Sequence, residues 1–309
     1  MMLVVLSLGA GVQSTTLALL ACEGVLPRPD AAIFADTGWE PRAVYAHLEQ
    51  LEGVLAGAGV PLYRVSKGDL RRNAIDPAHR YASIPYFVRN PDGSHGMGRR
   101  QCTAEYKLAP INRKVRELLG ATPPQFRRVP AGRMAQQWIG FSTDEVHRVS
   151  DKHRVSYLQP RYPLLELGMS RKDCHRWLRT RGWTTVVKSA CIGCPYHGNR
   201  QWRHMRDHQP DEWADAVAFD HAIRKGGARG LPLNGQAFLH RSRVPLDIAP
   251  IDHITRTEWA QRQTNLLDHL ADLNAGLDID EHGDPDGCSP YGCRSGHPTT
   301  NPNLSEGAA

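Results

Sequence analysis

Cys191-Ile-Gly-Cys194-Pro195 sets two thiols in one tight turn, a spacing that lets both sulfurs meet a single metal ion or cluster. The same pair suits dithiol redox chemistry, and His197 adjoins the turn as a candidate nitrogen ligand. Near the amino terminus, the segment Ser7-Leu-Gly9-Ala-Gly11-Val-Gln13-Ser14 is built of residues small enough for backbone N–H groups to approach a phosphate, and the Ser14 hydroxyl adds a donor. The plain structural alternative is a glycine turn that lets the first helix pack. Asp36-Thr37-Gly38 brings an acid, a hydroxyl and a flexible joint shortly afterwards. Read as a dinucleotide fingerprint, the first loop lacks its third glycine, although Asp36 stands near the place of a ribose-binding acid.

These groups need a frame to hold them. Residues 3–8, 31–35 and 61–65 are short apolar runs, and helical patterns separate them: 14–23 after the glycine-rich turn, then Val44, Leu48, Leu51 and Leu55. Strand, helix, strand, helix, strand is the order of an α/β protein with a doubly wound parallel sheet. Residues 66–104 are rich in Gly, Pro, Arg and His and read as a long loop over the site. A helix over 105–119, restarted at Pro110, and a strand over 136–141 follow. Ser170 and Asp173 form a capping box ahead of a helix over 174–181. Beyond Cys194 the pattern is helical, clearest over 211–225 and 257–273, with no strand expected. The chain therefore divides into an α/β domain over 1–190, a mainly helical region over 191–275 and a Gly- and Pro-rich flexible tail over 276–309.

Of the 309 residues 40% are hydrophobic and 23% charged, which excludes a disordered or collagen-like chain. No window holds the roughly 18 apolar residues of a membrane span, and residues 1–6 lack the basic start of a secretory signal, so the expectation is a cytoplasmic protein without a membrane partner. Seven cysteines are too few for a disulfide scaffold. Charge is uneven: residues 64–133 hold fifteen Lys and Arg against five acids, whereas 264–309 hold one against eight. The basic stretch suits a phosphate-bearing partner.

Ser7-Leu-Gly-Ala-Gly-Val-Gln-Ser14 followed by Asp36-Thr-Gly38 resembles the phosphoadenosine phosphosulfate (PAPS) reductase family, within the PP-loop, adenine nucleotide alpha-hydrolase-like proteins. Arg100-Gln-Cys102-Thr with Lys107, Trp138-Ile-Gly-Phe-Ser-Thr-Asp144-Glu145-Val-His-Arg148 and Cys191-Ile-Gly-Cys194-Pro come in the order that family shows, over roughly residues 2–200. The resemblance implies a Rossmann-like sheet. It also implies an adenine nucleotide, ATP or PAPS, held by Ser7, Gly9, Gly11, Gln13, Ser14, Asp36, Thr37 and Gly38. PP-loop ATPases carry Ser-Gly-Gly-x-Asp-Ser; here Gly9 stands for the first Ser and Gln13 for the Asp, leaving Asp36 as the candidate for Mg2+.

By the same resemblance Cys102, Cys191 and Cys194 are ligands of a 4Fe-4S cluster, with one iron lacking a protein partner as in sulfur-inserting relatives. The alternatives are zinc held by these three and His197, or no metal. Lys107, Arg100 and Arg148 are implied to contact the nucleotide or its sulfur-bearing group; the bland reading of Arg148 is an i,i+4 ion pair with Asp144. Cys293, or Cys288, matches the tail cysteine that attacks the sulfonucleotide in the reductases. Cys22 and Cys174 fall in helices and read as small core residues. Two chemistries are thus expected: ATP-dependent thiolation of a nucleic-acid or small-molecule acceptor, or sulfite release from PAPS with a thioredoxin-like donor. A zinc-braced nucleic-acid-binding module is the reading from another class.

Overall fold

The computed structural model describes residues 2–79, 84–149, 155–226, 233–256, 258 and 259. Cys288, Cys293 and nearly all of the expected helix over 257–273 lie outside them. In chain order the elements are β1 (Met2–Leu8), α1 (Val12–Cys22), β2 (Ala31–Asp36), α2 (Arg42–Gly57), β3 (Leu62–Ser66) and α3 (Leu70–Ile75). Then come β4 (Phe87–Arg89), β5 (His95–Met97), a π-helix (Thr103–Leu108), α4 (Ala109–Leu118), β6 (Met134–Trp138), a 3-10 turn (Thr143–Arg148) and β7 (Leu158–Arg161). The rest are α5 (Pro163–Glu166), α6 (Arg171–Arg179), α7 (Asn199–His208), α8 (Pro210–Ala222), β8 (Gln236–Phe238) and a short 3-10 turn (Leu246–Ile248).

Five strands form a wholly parallel sheet in the order β3-β2-β1-β6-β7. Because side chains alternate along a strand, Leu6 and Phe34 enter one core while Val5 and Ile33 enter another. The first core takes Leu17 of α1, Leu48 and Leu51 of α2 and Leu178 of α6; the second takes Ile111 and Val115 of α4. Helices thus cover both faces, which is why the strands are apolar on both sides. From β1 the order runs one way to β2 and β3 and the other way to β6 and β7, so the crevice above β1 and β6 is the switch point where such sheets take ligands.

A third core joins Trp39, Leu70, Tyr86 and Tyr106 to Trp202, Phe219 and Leu239, so residues on both sides of position 190 build it. Residues 66–104 are not the expected long loop. They contain α3 and the β4–β5 hairpin, and β8 pairs with β4 to complete an antiparallel sheet of order β5-β4-β8. Each of these strands has three residues, too few to show alternation in the sequence. β7 also escaped the sequence reading, since Leu-Gln-Pro-Arg carries a proline tolerated only because the strand lies at the sheet edge. No helix among the described residues is long and apolar enough to cross a membrane.

Candidate active site

After β1 the chain turns through Ala10, whose φ of 54° lies in the left-handed region that a side chain rarely adopts. The Ser14 hydroxyl fixes this turn: it accepts from the N–H groups of Gly9 (3.1 Å) and Gly11 (3.3 Å) and donates to the Gly11 carbonyl (3.2 Å). Ser14 therefore shapes the loop from inside. Ser7 is also turned inward, buried beneath the loop and accepting from Gln137 Nε2 at 2.9 Å. What the loop leaves for an anion is the first turn of α1, whose amides a helix cannot pair internally. The loop after β6 closes over them: a Cβ at Gly140 would lie 3.1 Å from the Ser14 nitrogen.

Gln13 reaches across the crevice. Its Nε2 donates to Glu145 Oε2 at 3.1 Å, and Arg171 Nη1 donates to its Oε1 at 3.4 Å. Arg148 is buried, pairs with Glu145 and lies over the Phe141 ring at 4.9 Å. The bland alternative, an Asp144–Arg148 pair, does not form. Residues 143–148 make two short 3-10 turns that meet at a kink at Glu145, and Arg148 pairs with Glu145 three residues back. Asp144 instead accepts from the backbone N–H of Arg171 at 2.6 Å. Burial lowers the Arg171 pKa, with Glu145 the chief opposing influence. Glu145 thus brings beside the loop the negative charge that Gln13 lacks.

Across the crevice, Asp36 Oδ1 accepts from the Gly38 N–H (2.7 Å) and the Tyr45 hydroxyl (2.8 Å). Burial and the Asp36 carboxylate together raise the Tyr45 pKa. Gly38 has φ 70°, and a Cβ there would stand 3.0 Å from Asp69 Cα, so the turn into α2 requires glycine.

Cys102, Cys191 and Cys194 line one small pocket, partly open to solvent, together with Thr37, Lys107 and Arg100. Trp39, Leu70 and Ile84 give it apolar walls. The π-helix explains how Cys102 and Lys107 share this wall. Five residues along an α-helix leave two side chains roughly 140° apart, whereas the i→i+5 repeat of a π-turn returns them to one face. Cys191 Sγ lies 3.3 Å from Thr37 Oγ1 and 3.6 Å from Glu40 Oε1. Glu40 is buried; its Oε1 also accepts from Thr37 (3.0 Å) and pairs with Lys107 Nζ (3.6 Å).

The pocket adjoins the glycine-rich loop after β1. A Cβ at Gly11 would meet Ser189 Cβ at 3.6 Å, and Cys191 is two residues farther on. Sequence reasoning therefore named groups that the fold brings together, but missed Glu40, Arg171 and Trp39. For Glu40 the available signal was its position two residues past Gly38 at a strand end.

His197 is not turned to the thiols. Its Nε2 donates to the Cys191 carbonyl at 3.0 Å and its Nδ1 faces Gln201 Oε1 at 3.2 Å, while burial and Lys188 lower its pKa to about 4. The imidazole is neutral and carries one N–H, which the Cys191 carbonyl takes, so Nε2 is not open to a metal ion in this arrangement. Among the described residues no three His, Cys, Asp or Glu side chains are gathered as a single-ion site. His204 and His208, a His-x-x-x-His pair on α7 that the sequence reading passed over, have rings 4.8 Å apart and no third such donor. Cys174 is buried, its pKa pushed up to about 12 by desolvation, and burial also raises that of Cys22, as core thiols should behave.

No protein-family model matches the chain, and no curated protein matches it.

Proposed function

We propose that this chain is an adenine-nucleotide-dependent enzyme of sulfur chemistry, similar to the PAPS reductase family, in which Cys102, Cys191 and Cys194 hold a 4Fe-4S cluster. The observation that carries the reading is the shared pocket: thiols 89 positions apart in sequence line one cavity, which starts two residues from a contact on the nucleotide loop. The donor set fits a cluster better than zinc. A single zinc ion draws four donors to within about 2.3 Å of one point, and His197 is engaged elsewhere. A cluster takes one thiolate per iron and accepts donors more widely spread around a pocket.

Each chain residue then has a definite task. The first-turn amides of α1 and the Arg148–Arg171 pair, steadied by Gln13 and Glu145, hold phosphate charge. Asp36, with one oxygen oriented by Gly38 and Tyr45, offers the other to a ribose hydroxyl or Mg2+. Lys107 and Arg100 offset the negative charge of the thiolates, and the Thr37 hydroxyl orients Cys191. The cluster, when bound, supplies a centre for sulfur or electron transfer. In the ATP-dependent reaction an acceptor oxygen attacks the α-phosphorus, pyrophosphate leaves, and the adenylated oxygen becomes the group that incoming sulfur displaces as AMP.

The test is anaerobic reconstitution with iron and sulfide followed by incubation with labelled ATP. A brown protein absorbing near ~400 nm that releases pyrophosphate supports the reading. A colourless, zinc-loaded protein without ATP turnover overturns it, and sulfite release from PAPS without ATP turnover assigns the reductase chemistry.

A further inference from the structure

We propose that the outer face of the β5–β4–β8 sheet docks a single-stranded polynucleotide. Side chains alternate across a strand, so Val88 and Ala237 enter the core while Phe87, Arg89, His95, Met97, Gln236 and Phe238 share the other face. Arg89, His95, Met97 and Gln236 are exposed, whereas Phe238 is buried beneath Arg89 and Arg224.

The arginines on this face are oriented without being neutralised. Arg89 lies over the Phe238 ring at 5.1 Å and donates to Gln236 Oε1 at 2.8 Å. Arg243 lies over Phe87 at 5.7 Å and donates from Nε to the Val88 carbonyl (3.1 Å) and from Nη1 to the Arg241 carbonyl (3.2 Å). Neither forms an ion pair with a described carboxylate, whereas Arg181 pairs with Glu23, Arg206 with Asp207 and Asp252, and Arg224 beside them with Asp220. A guanidinium held by a ring and by neutral carbonyl acceptors keeps its full charge and its remaining N–H groups for a phosphate. The lone acid between residues 84 and 100, Asp92, sits at the hairpin tip and is bonded to Ser94.

Charge selects a polyanion, and the rings select its form. Phe87 on this face and Tyr196 at the cysteine pocket are half-buried, each with an arginine lying over it, so guanidinium planes backed by rings face unpaired bases, which duplex bases, stacked on one another, cannot use. The sheet also leads to the cysteine pocket: Ile84 and Pro85 precede β4, Arg100 and Cys102 follow β5, and all four line that pocket. That a base of the docked strand is the sulfur acceptor rests on the enzyme reading; binding itself does not.

The experiment is fluorescence anisotropy of the full chain with a labelled single-stranded oligonucleotide of roughly 20 residues, RNA and DNA, over about 50–200 mM salt. Arg89→Glu and Arg243→Gln should each weaken binding about tenfold and lower the salt slope by about 0.7. Arg181→Ala should change neither, and a duplex of the same sequence should bind more weakly. Arg89 is exposed, so Arg89→Glu should melt as the parent chain does even if Arg243→Gln is destabilised. Equal affinity of Arg89→Glu and the parent, equal affinity for duplex, or no binding at low salt each overturns the proposal. Iron content, read on the same proteins, should be unaltered by Arg89→Glu, so failure of the cluster reading is seen separately.

Discussion

Gly193 is seated against Trp39 so closely that a methyl group on its Cα would stand 2.0 Å from the indole Cη2. The turn is also tied down by the Ile192 N–H donating to the Trp39 carbonyl at 3.0 Å, while the indole N–H donates to Asp215 at 2.7 Å. The middle of the Cys-x-x-Cys turn is therefore specified by an aromatic wall rather than by the cysteines. Gly193→Ala should displace the turn, costing about 1–3 kcal/mol or more by overpacking. Calorimetry beside iron analysis checks it: an alanine variant with unchanged melting and iron content would show that the turn is not so constrained.

Cysteine replacements should separate into two classes. Cys102→Ala, Cys191→Ala and Cys194→Ala should each lose reconstituted iron, because all three line one pocket. Cys22→Ala and Cys174→Ala should keep it, and Cys174→Ala should only lower stability, by about 1 kcal/mol for the small void it leaves. Retained iron in Cys102→Ala would remove that residue from the ligand set.

Arg148 and Glu145 are a buried pair beside the glycine-rich loop. Removing one partner strands the other charge, so Arg148→Met should destabilise by about 3–5 kcal/mol, and adding Glu145→Gln should recover much of that loss. A double-mutant cycle in urea measures the coupling. Gln13→Ala leaves the pair in place, and should raise KM for the nucleotide with little change in melting temperature.

His47 and His240 are buried, and desolvation lowers the pKa of each from 6.5 to about 4. Between those values the unfolded chain binds protons that the folded chain does not, so stability should fall as pH drops from about 6.5 towards 4. Each histidine contributes a slope of about 1.4 kcal/mol per pH unit there. Denaturant melts at pH 7 and 5 test this; His47→Gln should flatten the dependence while keeping a partner for Thr15, which lies 2.8 Å from the His47 ring.

The positions of β1, β2, β3, α1 and α2 were legible in the sequence to within a few residues. β1, β2, α1 and α2 bury their own apolar patterns and β3 half-buries Leu62, Tyr63 and Val65, and such a pattern is local information. The capping box of α6 was legible for the same reason, because Ser170 and Asp173 meet within one turn. The helix expected over 105–119 is present but is not restarted at Pro110: the π-helix runs into α4 with helical backbone at Leu108 and Ala109.

The sequence by itself determined the alternating parallel core, the glycine-rich loop at the strand end and the two-thiol turn, since each follows from neighbours along the chain. Only the tertiary structure decided that residues 66–104 join β8 in a second sheet, that Arg148 meets Glu145 rather than Asp144, and that Glu40 lies beneath Cys191. Phe87 pairs with Phe238, and Thr37 touches Cys191 across 154 positions. Such partners are chosen by the burial and hydrogen bonding of distant segments at once, and no periodicity within either segment records that choice.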